Sequence, residues 1–152
     1  MQYIPINHDF PKLSYQEGFL FWKNKKPAGT LAKSGYLRVK YESISYLAHR
    51  IVWAKFHGSV PDMHIDHING DKLDNRIENL RLATNGQNFA NSLKVRSSSG
   101  YRGVYPFRNK WKALCAEEYL GIFDTPEEAY QVFCQKAVER WGEFWDGRTR
   151  PY

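Results

Sequence analysis

An α+β fold in two modules, each made of short antiparallel hairpins and few helices, is what this 152-residue sequence predicts. Three observations carry the prediction. Apolar and polar residues alternate only over short runs, the mark of half-buried strands. Those runs are joined by tight-turn residues at Glu17-Gly18, Glu42-Ser43, Asn69-Gly70 and Arg108-Asn109-Lys110. Helical spacing longer than a single turn is confined to three stretches, one after Tyr46, one after Thr84 and one after Thr125.

In chain order, residues 13–23 read as a hairpin, followed by an exposed basic loop, Lys23-Asn24-Lys25-Lys26-Pro27. Residues 35–41 alternate, with Tyr36, Arg38 and Lys40 on one face and Leu37 and Val39 on the other. One face can pack while the other follows a duplex backbone. A turn at Glu42-Ser43 leads into residues 44–46. Ala48, Ile51, Val52, Lys55 and Phe56 then fall at helical spacing, and Gly58 ends that helix.

The stretch from His64 to Asn91 is the densest in polar chemistry. A strand over 63–68 ends at Asn69-Gly70, which readily takes the positive φ of a tight turn. Leu73 and Ile77 suit one helical turn with Asp74 as its cap. Residues 80–83 read as a second strand. Thr84 and Gln87 form a capping box that opens a helix running to about Asn91.

These residues, written I-D-H-I-N-G-D-x-x-D-N-R-x-x-N-L-R from Ile65 to Arg81 and extended through Gln87-Asn88, resemble the HNH endonucleases, the ββα-metal nucleases of the bacteriophage and intron homing type. The resemblance implies a nuclease core in which Asp66 and Asn88 hold a metal ion, His67 is the general base and Asn79 orients the histidine. The terminal His of the family pattern is Asn88 here. The segment before it, with Ala48-His49-Arg50 and Val52-Trp53, is similar to the helix that supports the motif in homing enzymes, where His49 and Arg50 either line a packed helix or meet DNA.

The chemistry suits those residue types. Hydrolysing a phosphodiester needs a water deprotonated near neutral pH, and histidine is the side chain that titrates there. It also needs a hard cation, and Mg²⁺ or Mn²⁺ accepts one or two protein oxygens while keeping several waters. Zinc fits less well, because no cysteine lies near His49, His64 and His67 and a structural zinc wants four closed ligands. Adjacent strand residues point to opposite faces, so Asp66 and His67 converge only if the strand end is irregular.

Ser97-Ser98-Ser99-Gly100 marks a linker at 96–100 between a first domain, 1–95, and a second, 101–152. Strands over 101–107, 111–116 and 119–123 precede a helix announced by Thr125-Pro126-Glu127-Glu128 and striped with Ala129, Val132, Phe133, Ala137 and Trp141. The expected product is a three-stranded antiparallel sheet packed on one helix. Tyr101-Arg102-Gly103-Val104, Trp111-Lys112-Ala113, Leu120 to Ala129 and Gly142-Glu143-Phe144 resemble the ethylene-response-factor (Apetala-type) DNA-binding domain, which implies a sheet laid into the major groove. Tyr105, Phe107 and Leu114 stand where that family carries arginines. Arg102, Arg108, Lys112 and Tyr119 remain as contacts, so base specificity from this module is modest.

Charge agrees with a polyanionic partner. The net charge is +6; residues 1–60 hold nine Lys/Arg against three Asp/Glu, and residues 96–116 hold five with no acidic residue. Lys23, Lys25, Lys26, Arg38 and Lys40 are the expected phosphate contacts of the first domain. No run approaches membrane-spanning length and the N-terminus lacks a secretory pattern, so a cytoplasmic protein is expected, and the resemblance to bacteriophage enzymes implies a phage-encoded one acting in the host cell. The two cysteines, Cys115 and Cys134, lie in apolar patterns and argue for a reducing compartment. The expectation is therefore a metal-dependent endonuclease acting on double-stranded DNA, as a monomer that nicks or a homodimer that cuts both strands. The alternative is an inactive DNA-binding regulator on the same scaffold.

Overall fold

A computed structural model describes residues 10–91, 95, 97–145 and 147. Residues 1–9 and 92–94 of the expected first domain, and residue 96 of the expected linker, lie outside that set. The chain divides into two compact units, Met1–Asn88 and Phe89–Tyr152. Both are α+β. Among the described residues no helix is long and apolar enough to cross a membrane.

The first unit opens with the hairpin of β1 (Leu13–Gln16) and β2 (Phe19–Trp22). A second sheet, in the order β3-β4-β5, follows from β3 (Thr30–Leu31), β4 (Leu37–Tyr41) and β5 (Ile44–Leu47). Glu42 and Ser43 both take positive φ, 48° and 69°, which lets a two-residue turn match the twist of β4 and β5. Helix α1 (Ala48–His57) stops at Gly58, where a left-handed φ of 77° turns the chain and its N–H closes on Ala54 O. The pair β6 (His64–His67) and β7 (Leu80–Ala83) is antiparallel, and α2 (Asn85–Ala90) follows. Ile51, Val52, Val39, Tyr41, Ile65 and Leu80 share one buried core with Phe10, Leu13 and Leu20. That core fixes α1, β4 and β6 as the frame of the site.

Two local expectations need correcting. Tyr36 does not share the outward face of Arg38 and Lys40; it precedes β4 and is half-buried against His49 and His67. The loop helix is a 3₁₀ turn over Ile77–Asn79 whose N-cap position is Arg76, without a side-chain cap. Asp74 instead pairs with Arg76 at 2.7 Å and accepts the Asn69 amide at 2.8 Å.

The second unit is a sheet in the order β10-β9-β8, from β8 (Val104–Phe107), β9 (Lys110–Cys115) and β10 (Glu118–Phe123), packed on α3 (Pro126–Trp141). Thr125 and Glu128 close a reciprocal capping box, with Pro126 in the first turn. Ala129, Phe133 and Ala137 of α3 are buried with Val104, Ala113 and Cys115 of the sheet. Gly103 is forced by this packing: at φ 74°, a Cβ there would lie 2.3 Å from the Phe133 ring. Residues 97–100, expected as a spacer, are half-buried in part, and the Ser97 and Ser99 hydroxyls donate to Val104 O.

Candidate active site and nucleic-acid interface

Strand β6 places Asp66 and His67 side by side in sequence, and both are buried at 4% exposure. Pairing with β7 stays regular through His67, opposite Leu80, and the turn begins at once, with Gly70 N–H on His67 O at 2.8 Å. The expected irregularity thus lies after the strand rather than in it. The two side chains meet different partners. Asp66 Oδ2 accepts from Arg81 Nε at 3.0 Å, directly across the ladder. A carboxylate this buried needs such a counter-charge to offset its lost hydration.

His67 sits among polar and aromatic groups. Its Nε2 is 3.1 Å from Asn75 Oδ1, its ring meets His49 edge-on at 5.0 Å between centroids, and Tyr36 lies at 5.9 Å. Burial pushes the His67 pKa down from the usual imidazole value, against the opposing effects of the Asn75 hydrogen bond and of Asp66, Asp71 and Asp74. His49 goes further, to about 3, first through burial and then through His67 and Arg50. A base that takes a proton from water must first be unprotonated, and burial favours that state here. Tyr36 is capped by Lys72, whose Nζ is 4.4 Å from the ring centroid and donates to Ser34 O.

Asn79 bonds the turn next to His67. Its Oδ1 accepts from Asn69 N–H at 2.9 Å, and its Nδ2 donates to Asn69 Oδ1 and Asp74 O. Its carboxamide therefore clamps the turn that follows His67, and any hold on the ring passes through that turn. The residue on the ring itself is Asn75, 1% exposed. Among several asparagines in one polar loop, composition did not single it out. Asn88 lies on α2, its N–H on Thr84 O, after the reciprocal Thr84–Gln87 cap.

Among the described residues no three His, Cys, Asp or Glu side chains gather as a metal site. The donor set that the sequence offers is smaller, a carboxylate at Asp66 and a carboxamide at Asn88. Both are hard oxygen donors, which suits Mg²⁺ or Mn²⁺ rather than a softer ion.

The expected DNA contacts sort into three groups. Lys23, Lys25, Lys26, Arg38 and Lys40 are exposed, the last two on β4 facing away from buried Val39 and Tyr41. Arg108 is exposed in the β8–β9 turn at φ 54°, Tyr119 is 57% exposed, and Lys112 is half-buried with its Nζ 5.9 Å from the Phe107 ring. Arg102 is corrected. It is buried, donating to Ala90 O at 2.5 Å and Phe89 O at 2.6 Å, with its guanidinium 4.8 Å from the Phe89 ring, 5.3 Å from Trp145 and 5.7 Å from Trp141. An arginine held this way satisfies the carbonyls that end α2 and is not presented to DNA.

Comparison with known proteins finds a likeness in the region around this geometry. Residues 46–90 match the family described as HNH endonuclease. A protein of Acanthamoeba polyphaga mimivirus, named as an uncharacterized HNH endonuclease, is 35% identical over 120 residues, 75% of this chain and 63% of its own length. A prophage-derived protein of Bacillus subtilis whose name places it among the HNH homing endonucleases is 34% identical over 88 residues, 53% of this chain and 51% of its own. The chain thus spans less than two thirds of the length of these relatives. No solved structure matches.

Proposed function

We propose that this protein is a metal-dependent DNA endonuclease that hydrolyses phosphodiester bonds, with His67 as the general base. The observation that carries the reading is the placement of His67 at the end of β6, next to Asp66, within the stretch that matches the HNH endonuclease family and with burial favouring its neutral form. Asp66 and Asn88 would hold a Mg²⁺ or Mn²⁺ ion, which when bound neutralises charge on the phosphate and on the leaving oxygen. The chain's own residues do the rest. His67 takes the proton of the attacking water, Asn79 fixes the turn behind it, and Arg81 balances the Asp66 carboxylate.

Double-stranded DNA is the substrate we infer. The exposed Lys23, Lys25, Lys26, Arg38 and Lys40 support phosphate contact in the first unit, and Arg108, Lys112 and Tyr119 support docking of the second in the manner of an Apetala-type domain. With one such site per chain, a monomer would nick, and a homodimer or a second encounter would cut both strands. The sources of the two relatives, a virus and a prophage, support a mobile-element setting inside a host cell.

A supercoiled-plasmid assay tests this. EDTA should abolish nicking, and Mg²⁺ or Mn²⁺ should restore it. His67→Ala should slow single-turnover nicking by about two to four orders of magnitude while DNA affinity, measured by gel shift in Ca²⁺, stays nearly constant. Cleavage that survives EDTA, or a His67→Ala chain that cleaves at the parent rate, would overturn the proposal. The inactive-regulator alternative draws on the Asp66–Arg81 salt bridge, which engages the expected ligand, and the same assay decides between the two.

A further inference from the structure

We propose that the outward face of the β10-β9-β8 sheet is a stacking platform for the unpaired bases of single-stranded DNA. The strand register defines that face. Val104, Ala113 and Cys115 are buried with α3, so the residues that alternate with them point away: Tyr105 and Phe107 on β8, Lys112 and Leu114 on β9, Tyr119 and Ile122 on β10. Tyr105, Lys112 and Ile122 lie opposite one another across the three strands, and Leu114 lies opposite Tyr119. Four of these side chains are large, apolar and uncovered, with Tyr105 at 40%, Phe107 at 39%, Tyr119 at 57% and Ile122 at 43% exposure. Apolar surface gathered this way on one face of a small unit marks a place where something binds.

Charge narrows what binds. The cations of Arg108 and Lys112 lie 5.6 and 5.9 Å from the centre of the Phe107 ring. None of the six face positions is acidic, and Lys110, opposite Phe107, is paired with Asp124 at 2.8 Å. Open rings edged by cations match a polyanion that carries flat apolar faces: bases stack on the rings while phosphates meet Arg108 and Lys112.

Spacing then separates an unpaired strand from a duplex. Tyr105 and Phe107, two residues apart on β8, stand about 7 Å apart, double the rise of about 3.4 Å between stacked bases of a duplex. Rings so placed receive bases that have left their neighbours. The groove of a closed duplex presents base edges instead, and Phe107, Leu114 and Ile122 offer those edges no hydrogen bond. The proposal rests on the reading of DNA as the partner, not on the nuclease chemistry, and it narrows the second unit's contact to a frayed, gapped or opened stretch.

The test is fluorescence anisotropy of the full chain in EDTA, with a labelled oligothymidine and with a blunt duplex of equal length. Phe107→Leu and Tyr119→Leu keep apolar bulk without the aromatic face. Each should weaken oligothymidine binding by about 5- to 150-fold, the range of one lost base–ring stack, and duplex binding by less than about twofold. Phe107→Trp should keep the affinity of the parent. Equal losses on both probes would make the face a duplex reader and overturn the proposal. Loss on neither would overturn it too, and would leave the face to a protein partner or a second copy of the chain. A measurement on the parent alone guards against misfolded variants: oligothymidine carrying iodouracil should couple under near-ultraviolet light to Tyr105, Phe107 or Tyr119, located by peptide mass mapping. Coupling confined to other residues would overturn the proposal. Ring-dependent binding of oligothymidine by a chain that does not nick plasmid leaves the platform standing and removes the nuclease reading; nicking without ring-dependent binding does the converse.

Discussion

Arg102 shows how one side chain can decide the order of its surroundings. Its guanidinium satisfies two carbonyls at the end of α2 and lies against Phe89, Trp141 and Trp145. Arg102→Ala would strand those carbonyls and leave a cavity between rings, so we expect a loss of about 2 to 4 kcal/mol, read as a lower urea midpoint. Arg102→Lys should recover part of it, because an ammonium keeps the charge without the planar fork. If Arg102→Ala unfolds at the parent midpoint, the buried contacts contribute nothing. Residue-scale roles such as this one were the least legible in the sequence. Periodicity assigns a residue to an element but does not tell an arginine that reaches outward from one that folds back. Asp66, His67, Asn79 and Asn88 could be picked out because a spaced motif lists them; Asn75 could not, since its meaning depends on the distance to a ring eight positions earlier.

Elements were easier to read, because tight turns and caps are local chemistry. The Glu42-Ser43 turn, the Gly58 stop and the capping boxes at Thr84 and Thr125 all stand where short-range residue preferences put them. The 3₁₀ turn at Ile77–Asn79 departs from the expected capped turn, since Asp74 is drawn to Arg76 and Asn69 instead of the helix. Strand β4 carries a consequence for binding. Its Arg38 and Lys40 face outward while Val39 and Tyr41 are buried, and the neighbouring loop exposes Lys23, Lys25 and Lys26. Replacing the three loop lysines with Gln should weaken binding to unrelated duplexes alike. It should also reduce the slope of log K against log salt by up to about 3. An unchanged slope would mean that the loop is only hydrated.

On the scale of the whole molecule, stability in acid depends on a group that is almost out of reach of water. His49 has a folded pKa near 3, against about 6.5 in an unfolded chain. Above pH 6.5 both states leave it neutral and it contributes nothing to the pH dependence. As pH falls from 6.5 toward 3, the unfolded chain takes a proton that the folded one refuses, so stability drops, by about 2 kcal/mol at pH 5. The urea midpoint of the parent should fall over that range, and His49→Gln should fall less; equal slopes would remove His49 as the cause. The α+β class was legible from alternation and turn spacing. Composition alone marks three serines and a glycine as a spacer, whereas the hydroxyls of Ser97 and Ser99 donate to Val104 O.

The division into two units bears on how the protein can be cut into pieces. The two units part between Asn88 and Phe89, inside α2, while the carbonyls that Arg102 grips belong to Phe89 and Ala90. A fragment begun at Tyr101, as the run of serines invites, would carry Arg102 without its acceptors and without the Phe89 ring. One begun upstream of α2 would keep them together with the helical turn that presents them. The seam visible in composition and the point where the two units part are a dozen residues apart, and the useful cut lies further upstream still, before α2.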